Sequence, residues 1–227
     1  MKGIAYGVGV GPGDPELMTC KAIRLIRENH VIAVPGTVPE EAVSYQIAAA
    51  AVPEIAGKEL LPVSMPMSND PEVIREAHQK GARQIEGYLD QGKNVVYLTL
   101  GDPTIYCSFS YLQQILGEDG YRTELVNGVP SFCAAAARLN RPLAQWDEPV
   151  HLVPAAHNKE QMFSEEGNYV LMKSAGSMKE VKKLLLEKGF TGSAVENCGM
   201  DNEKVYLCLE EIPENAGYLT LVIASGK

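Results

Sequence analysis

The chain has 227 residues, 45% of them hydrophobic and 22% charged, which is enough apolar material to pack one large domain or two small ones and too much for a disordered chain. Its net charge of -9, from 20 Lys plus Arg against 29 Asp plus Glu, argues against a nucleic-acid partner, which needs a basic face. No apolar run nears the ~20 residues of a membrane helix, so no membrane partner is expected; the start, Met1-Lys2-Gly3-Ile4, enters a strand-like run without an apolar signal core, and a cytoplasmic location is the expectation.

The five cysteines, Cys20, Cys107, Cys133, Cys198 and Cys208, are odd in number and widely spaced, with no C-x-x-C pair and no histidine at zinc spacing. They read as mostly buried thiols in a reducing compartment. A protein-held metal is therefore not expected.

Strand-like segments at 4–10, 31–34, 59–63, 94–100 and 122–126 alternate with helix-like segments at 15–28, 40–51, 71–90 and 105–116. That alternation predicts a parallel sheet with crossover helices. Leu17, Ile23 and Ile26, and further on Ile74, Ala77, Ile85 and Leu89, recur near helical spacing and mark core-facing stripes. A helix is predicted over 128–139, with alanines at 134–137, and Asn140-Arg141-Pro142 stops it. Beyond it, strands at 150–153, 169–172, 193–196, 204–209 and 218–223 are separated by helices at 159–165 and 177–187, so the closing strands are expected to pair antiparallel. The expected domains are 1–127 and 128–227.

Gly7, Gly9, Gly11 and Gly13 follow a predicted strand and precede a helix, as in a nucleotide-binding turn. The dinucleotide fingerprint G-x-G-x-x-G fails: counted from Gly7 its third glycine falls on Pro12, and counted from Gly9 on Asp14. Asp14 suits a helix N-cap and Pro15 a first helical position, and a carboxylate there disfavours a pyrophosphate. The glycines serve either a tight strand-to-helix turn or a ligand lying close against backbone. A second such place is Gly101-Asp102-Pro103-Thr104, where a buried-strand pattern ends; ligands of open parallel sheets bind beyond such ends.

The pairing of Gly11-Pro12-Gly13-Asp14-Pro15 with Gly101-Asp102-Pro103 resembles the tetrapyrrole methylase family, the class III S-adenosylmethionine methyltransferases. Asn127-Gly128-Val129-Pro130-Ser131 resembles the family's Pro-Gly-Val-Ser-Ser turn, with Asn127 in place of the usual Pro. Leu171-Met172-Lys173 resembles its cofactor-touching strand, and Val195-Glu196-Asn197-Cys198 a later cofactor loop, with Cys198 where Gly is common. The segments 31–35, 65–67, 98–111 and 131–136 resemble the branch that methylates precorrin-2, or its cobalt form, at carbon 20.

The resemblance implies an α/β fold of two domains, the first with a mainly parallel sheet and the second with a mixed one, and the cofactor in the cleft between them. It implies that Pro12, Leu100, Gly101, Asp102, Ile105, Pro130, Ser131, Met172 and Cys198 contact S-adenosylmethionine, with S-adenosylhomocysteine as product. The partner is a small-molecule tetrapyrrole, any metal belongs to that substrate, and a homodimer is expected. Methyl transfer is a direct displacement in which orientation supplies ~7–11 kcal/mol; for a general base, Asp102, Lys173 and Tyr106 are the candidates by position, or else structural and cofactor-binding groups. Arg122, Arg138, Arg141, His151, His157, Lys159 and Lys173 are open as partners of the substrate carboxylates, Arg141 and His157 first. A cobalt-bearing acceptor is favoured because a five-cysteine chain suits an anaerobic host. The alternatives are metal-free precorrin-2, an NAD(P)-dependent oxidoreductase, which would want an acid where the second strand closes on Ala33-Val34-Pro35, and a non-catalytic tetrapyrrole-binding protein.

Overall fold

A computed structural model describes residues 1–154, 163, 166–174 and 176–226. The chain divides into two compact units, Met1–Pro130 and Ser131–Lys227. The first keeps the turn at Asn127 and Gly128 because both donate hydrogen bonds to Asp102, so the division falls a little beyond the expected 127/128.

In the first unit the elements run β1 (Ile4–Gly9), α1 (Cys20–Glu28), β2 (Val31–Pro35), α2 (Val43–Ala51), β3 (Glu59–Val63), α3 (Pro71–Leu89), β4 (Val95–Thr99), α4 (Phe109–Glu118) and β5 (Arg122–Val126). The five strands form one sheet in the order β3-β2-β4-β1-β5, parallel at every pairing. Val31, Ile32, Ala33 and Val34, and likewise Val95, Val96, Tyr97 and Leu98, are buried throughout, as strands covered on both faces must be. Val8, Ile32, Val96 and Leu98 pack with Leu25 and Ile26 of α1 and Ile47 of α2. Ala5, Ala33, Val95 and Tyr97 pack with Ile85 and Leu89 of α3 and Phe109 and Leu112 of α4. Each such large side chain stabilises the fold by about 1.5–3 kcal/mol on burial.

In this unit three predicted helices start later than their periodicity suggests. Asp14 caps a single 3-10 turn, Pro15–Leu17, by accepting from the Glu16 amide at 2.8 Å; α1 begins afresh behind Thr19, whose hydroxyl accepts from Ala22 N at 3.2 Å. Another 3-10 turn, Pro39–Glu41, precedes α2. The helix expected from 105 begins at Phe109, because Tyr106 turns left-handed with φ 48° and cannot lie in a right-handed helix.

The second unit holds α5 (Ser131–Arg138), β6 (Val150–Pro154), β7 (Asn168–Met172), α6 (Met178–Glu187), β8 (Thr191–Glu196), β9 (Lys204–Tyr206) and β10 (Thr220–Ser225). Its sheet order is β6-β7-β10-β8-β9; β6 and β7 are parallel, and the remaining pairings are antiparallel, as expected for the closing strands. Ala135 and Ala136 of α5 cover Val170, Val195, Leu221 and Ile223 on one face. Val181 and Leu185 of α6 cover Tyr169, Leu171, Ala194 and Val222 on the other. The strand predicted over 204–209 stops at Tyr206 because a 3-10 turn, Leu209–Glu211, follows. The helix expected over 159–165 lies outside the described residues. Among those described, no helix is long and apolar enough to cross a membrane.

Candidate active site

Neighbouring strands β1 and β4 send their connections in opposite directions, β1 toward β2 and β4 toward β5. This is a topological switch point, where an open α/β sheet leaves a crevice beyond its carboxyl ends. The two glycine turns meet there as one structure. Val10 N donates to Thr99 O at 3.0 Å, Gly101 N to Gly11 O at 2.8 Å, and Gly11 N to Gly101 O at 3.3 Å. Gly11 and Gly101 hold φ angles of 77° and 71°, which only glycine adopts without strain. Gly9 lies against the backbone of Gly128. The close approach that glycine permits at position 9 is therefore taken by a neighbouring loop of the chain, a correction to the idea that a ligand fills it.

Asp102 is the hub of this region. It is buried, 6% exposed; its Oδ1 accepts from Thr104 N at 2.8 Å and from the Thr104 hydroxyl, and its Oδ2 accepts from Asn127 Nδ2 at 3.2 Å and Gly128 N at 3.0 Å. Burial pushes its carboxyl up, but the hydrogen bonds from Thr104, Asn127 and Gly128 outweigh that and hold it below the ordinary carboxylate range. A carboxylate so engaged is ionised, fixed and poorly disposed to take a proton. Beneath it, Thr99 Oγ1 and Cys107 Sγ are hydrogen-bonded at 3.0 Å, and burial raises the Cys107 thiol.

Pro12 and Gly101 are buried, and Leu100, Ile105 and Pro130 are half-buried. Tyr106 is 46% exposed. The bracing residues Thr104, Asn127 and Gly128 were not among those expected to serve the site. Thr104 could have been found from the Asp-x-Thr spacing, which favours a side chain accepting from the amide two residues on.

In the second unit Met172 and Cys198 pack on one apolar cluster with Val170, Val195 and Leu221. Immediately after β7 and β8 stand Lys173 and Asn197 with φ 56° and 52°. Left-handed residues other than glycine cost roughly 1–2 kcal/mol and gather at functional loops. Ser131 opens α5 and is half-buried. Glu196, at the end of β8, accepts from Tyr206 Oη at 2.9 Å and Gly217 N at 3.2 Å, which braces the start of the Asn197 loop.

The basic residues are less suited to a substrate. Arg122 pairs with Glu124 at 2.6 Å, and Arg138 with Glu203. Arg141 Nη2 donates to Ser225 Oγ at 2.8 Å. Ser225 is paired with Asn168 and Thr191, the first residues of β7 and β8, so Arg141 is held at the end of this sheet opposite Met172, Lys173 and Cys198. His151 stacks on Tyr169 with centroids 4.6 Å apart. His157 and Lys159 lie outside the described residues.

The sequence model of the Tetrapyrrole (Corrin/Porphyrin) Methylases matches residues 5–213. A Methanocaldococcus jannaschii protein named a probable cobalt-precorrin-2 C(20)-methyltransferase is 32% identical over 222 residues, spanning 96% of this chain and 94% of that protein. The precorrin-2 C(20)-methyltransferase of a Sinorhizobium species is 24% identical over 235 residues, spanning 99% and 96%. The crystal structure of uroporphyrin-III C-methyl transferase from Thermus thermophilus, complexed with S-adenyl homocysteine, superposes with a TM-score of 0.74 at 25% identity, covering 98% of this chain and 97% of that one.

Proposed function

Since the chain belongs to the tetrapyrrole (corrin/porphyrin) methylases and is a methyltransferase, we propose that it moves the methyl group of S-adenosylmethionine to carbon 20 of cobalt-bearing precorrin-2. The observation that carries this reading is the 32% identity, over almost the whole length of both chains, to a protein named for that reaction. A metal-free acceptor is the second reading, favoured by the 24% identity to a protein named for precorrin-2 itself.

The residues present fit the cofactor. Backbone hydrogen bonds join the turns at Gly11 and Gly101, and Leu100, Ile105 and Pro130, on the loops that leave β4 and β5, are half-buried, which suits a flat heteroaromatic ring with polar edges. Pro12, Leu100, Gly101, Asp102, Ile105 and Pro130, together with Ser131, Met172 and Cys198, are the proposed contacts. When bound, the sulfonium supplies an electrophilic methyl group. What the chain contributes is orientation: rigid backbone turns hold donor and acceptor in line. The acceptor carbon must also shed a proton. Asp102 is too firmly hydrogen-bonded for that task, which leaves Tyr106 and Lys173 as the proposed bases. A homodimer in the cytoplasm is the assembly and location that the resemblance implies.

Mass spectrometry after incubation with S-adenosylmethionine and either cobalt-bearing or metal-free precorrin-2 tests the proposal. One added methyl on the cobalt form alone is expected. Methylation of the metal-free form alone selects the second reading, and methylation of neither sinks both.

A further inference from the structure

Asn127, at the exit of β5, is tied through its side chain to the exit of β4 and through its own carbonyl to the start of α1. Its Nδ2 donates to Asp102 Oδ2 at 3.2 Å, next to the Gly128 amide at 3.0 Å. Its carbonyl accepts from Thr19 Oγ1 at 3.2 Å, the hydroxyl that also caps α1. The carboxylate it touches immediately follows Gly101, which is bonded to Gly11. Yet Asn127 itself is exposed and fills no core, so its amide is free of any packing duty.

We infer that Asn127 is a positioning residue for the cofactor turn: acting through the Asp102 carboxylate, its side-chain amide fixes the exit of β4 against the exit of β5 and so sets the backbone at Leu100, Gly101 and Ile105. The inference rests on the methyltransferase reading of this turn. Asn127 supplies a hydrogen-bond donor to an anion, and that chemistry makes the role separable from mere structure. In Asn127→Asp, two carboxylates face each other. When they share one proton, it stands in for the amide hydrogen and the bracket closes; when that proton leaves, like charges repel and the turn opens.

The other charged or titratable groups on the strands, loops and first turn of α1 meeting here are Tyr6, Asp14, Glu16, Cys20, Lys21, Tyr97, Tyr106, Cys107, Arg122 and Glu124. All are common to the wild type and the variants and cancel in the comparison. The Cys107 thiol, on which the Asp102 charge acts, is held above its ordinary value by burial and stays neutral across the range used.

The test is calorimetric titration of S-adenosylhomocysteine into wild type, Asn127→Ala and Asn127→Asp from pH 5 to pH 8, with an unfolding midpoint for each. Affinity falls in proportion to the fraction of chains whose turn holds the binding geometry; with that fraction cut to about a tenth, Asn127→Ala is expected to bind about tenfold less tightly at every pH. Asn127→Asp is expected to lose affinity relative to wild type as pH rises and the shared proton departs, reaching a deficit of about tenfold or more by pH 8. Asn127→Ala should lower the unfolding midpoint modestly at every pH, and Asn127→Asp should lower it only as pH rises, with both chains still unfolding cooperatively. Wild-type affinity in both variants, or an Asn127→Asp deficit that does not change with pH, would overturn the inference. A carbon-13 carboxyl titration of Asp102, which needs no ligand, should show its protonation moved upward in Asn127→Asp; an unmoved titration also overturns it. If the wild type itself binds no S-adenosylhomocysteine while the Asp102 titration moves as expected, the methyltransferase reading fails and the bracket stands.

Discussion

Gly9 and Gly128 face each other with no room for a side chain between them: a Cβ on Gly9 would stand 2.7 Å from Gly128 N, and one on Gly128 would stand 2.2 Å from Gly101 O. The obstacle is backbone on both sides, so nothing flexible can yield. Gly128→Ala is expected to destabilise the chain by roughly 1–3 kcal/mol through overpacking and to weaken S-adenosylhomocysteine binding. Gly87→Ala is the control: it lies in α3 with nothing within 4 Å of its Cβ, and should stabilise by ~1 kcal/mol. Urea unfolding of the two variants checks the contrast; equal effects would remove the close approach as an explanation.

Asp102 gives a prediction with a sign in pH. Its carboxyl is held below the ordinary value of 3.8 by four hydrogen bonds that outweigh burial. Stability of this kind is fully present above the ordinary value and is lost as pH falls through the lowered one. Asp102→Asn removes the charge and points an amide group at donors, so at pH 7 it should cost about 1.5–3 kcal/mol. Its deficit relative to wild type should shrink below about pH 4, where an unperturbed carboxylate protonates. Unfolding free energies of both chains between pH 3 and pH 7 measure this, and a deficit constant over that range would contradict it.

The proposed bases differ from the brace in what they should change. Tyr106→Phe keeps the ring and the left-handed backbone of this half-exposed residue and removes a proton acceptor. A fall in kcat of roughly a hundredfold, with unchanged S-adenosylhomocysteine affinity, is expected if Tyr106 serves as base. Lys173→Gly tests the other candidate, since glycine keeps the φ of 56° while deleting the amine. Full activity in both variants would show that the acceptor loses its proton to water.

Arg141 is tied by its hydrogen bond to the far end of the second sheet. A five-residue strand such as β7 extends about 16 Å, which separates Arg141 from Met172 and Lys173. Arg141→Ala should therefore cost about 1 kcal/mol of stability and leave KM for the tetrapyrrole unchanged. A large rise in KM would return Arg141 to the substrate.

Much of this was legible in the order of residues. Alternation of apolar strands with amphipathic helices placed the nine elements of the first sheet unit in their right order, and the antiparallel pairing of the closing strands followed from the shortage of helices between them. Glycine and aspartate at two strand exits pointed to the carboxyl end of the sheet. The errors fell where a local pattern meets a non-local demand. Leu17 sits at helical spacing from the α1 stripe, yet a 3-10 turn and the Thr19 cap intervene. Ile105 and Tyr106 read as helix, yet the loop that positions Asp102 bends them out of it.

The sequence by itself determined the family, the α/β class and which turns carry the chemistry, because burial periodicity and the special backbone freedom of glycine are local properties. Only the tertiary structure decided that the two glycine turns are a single bonded unit, that Gly9 makes room for Gly128, and that Asp102, beyond its local bonds to Thr104, is an ionised brace held by Asn127 and Gly128. Those facts depend on strands β1, β4 and β5 lying side by side, a contact between residues roughly 90–120 positions apart that no local spacing records.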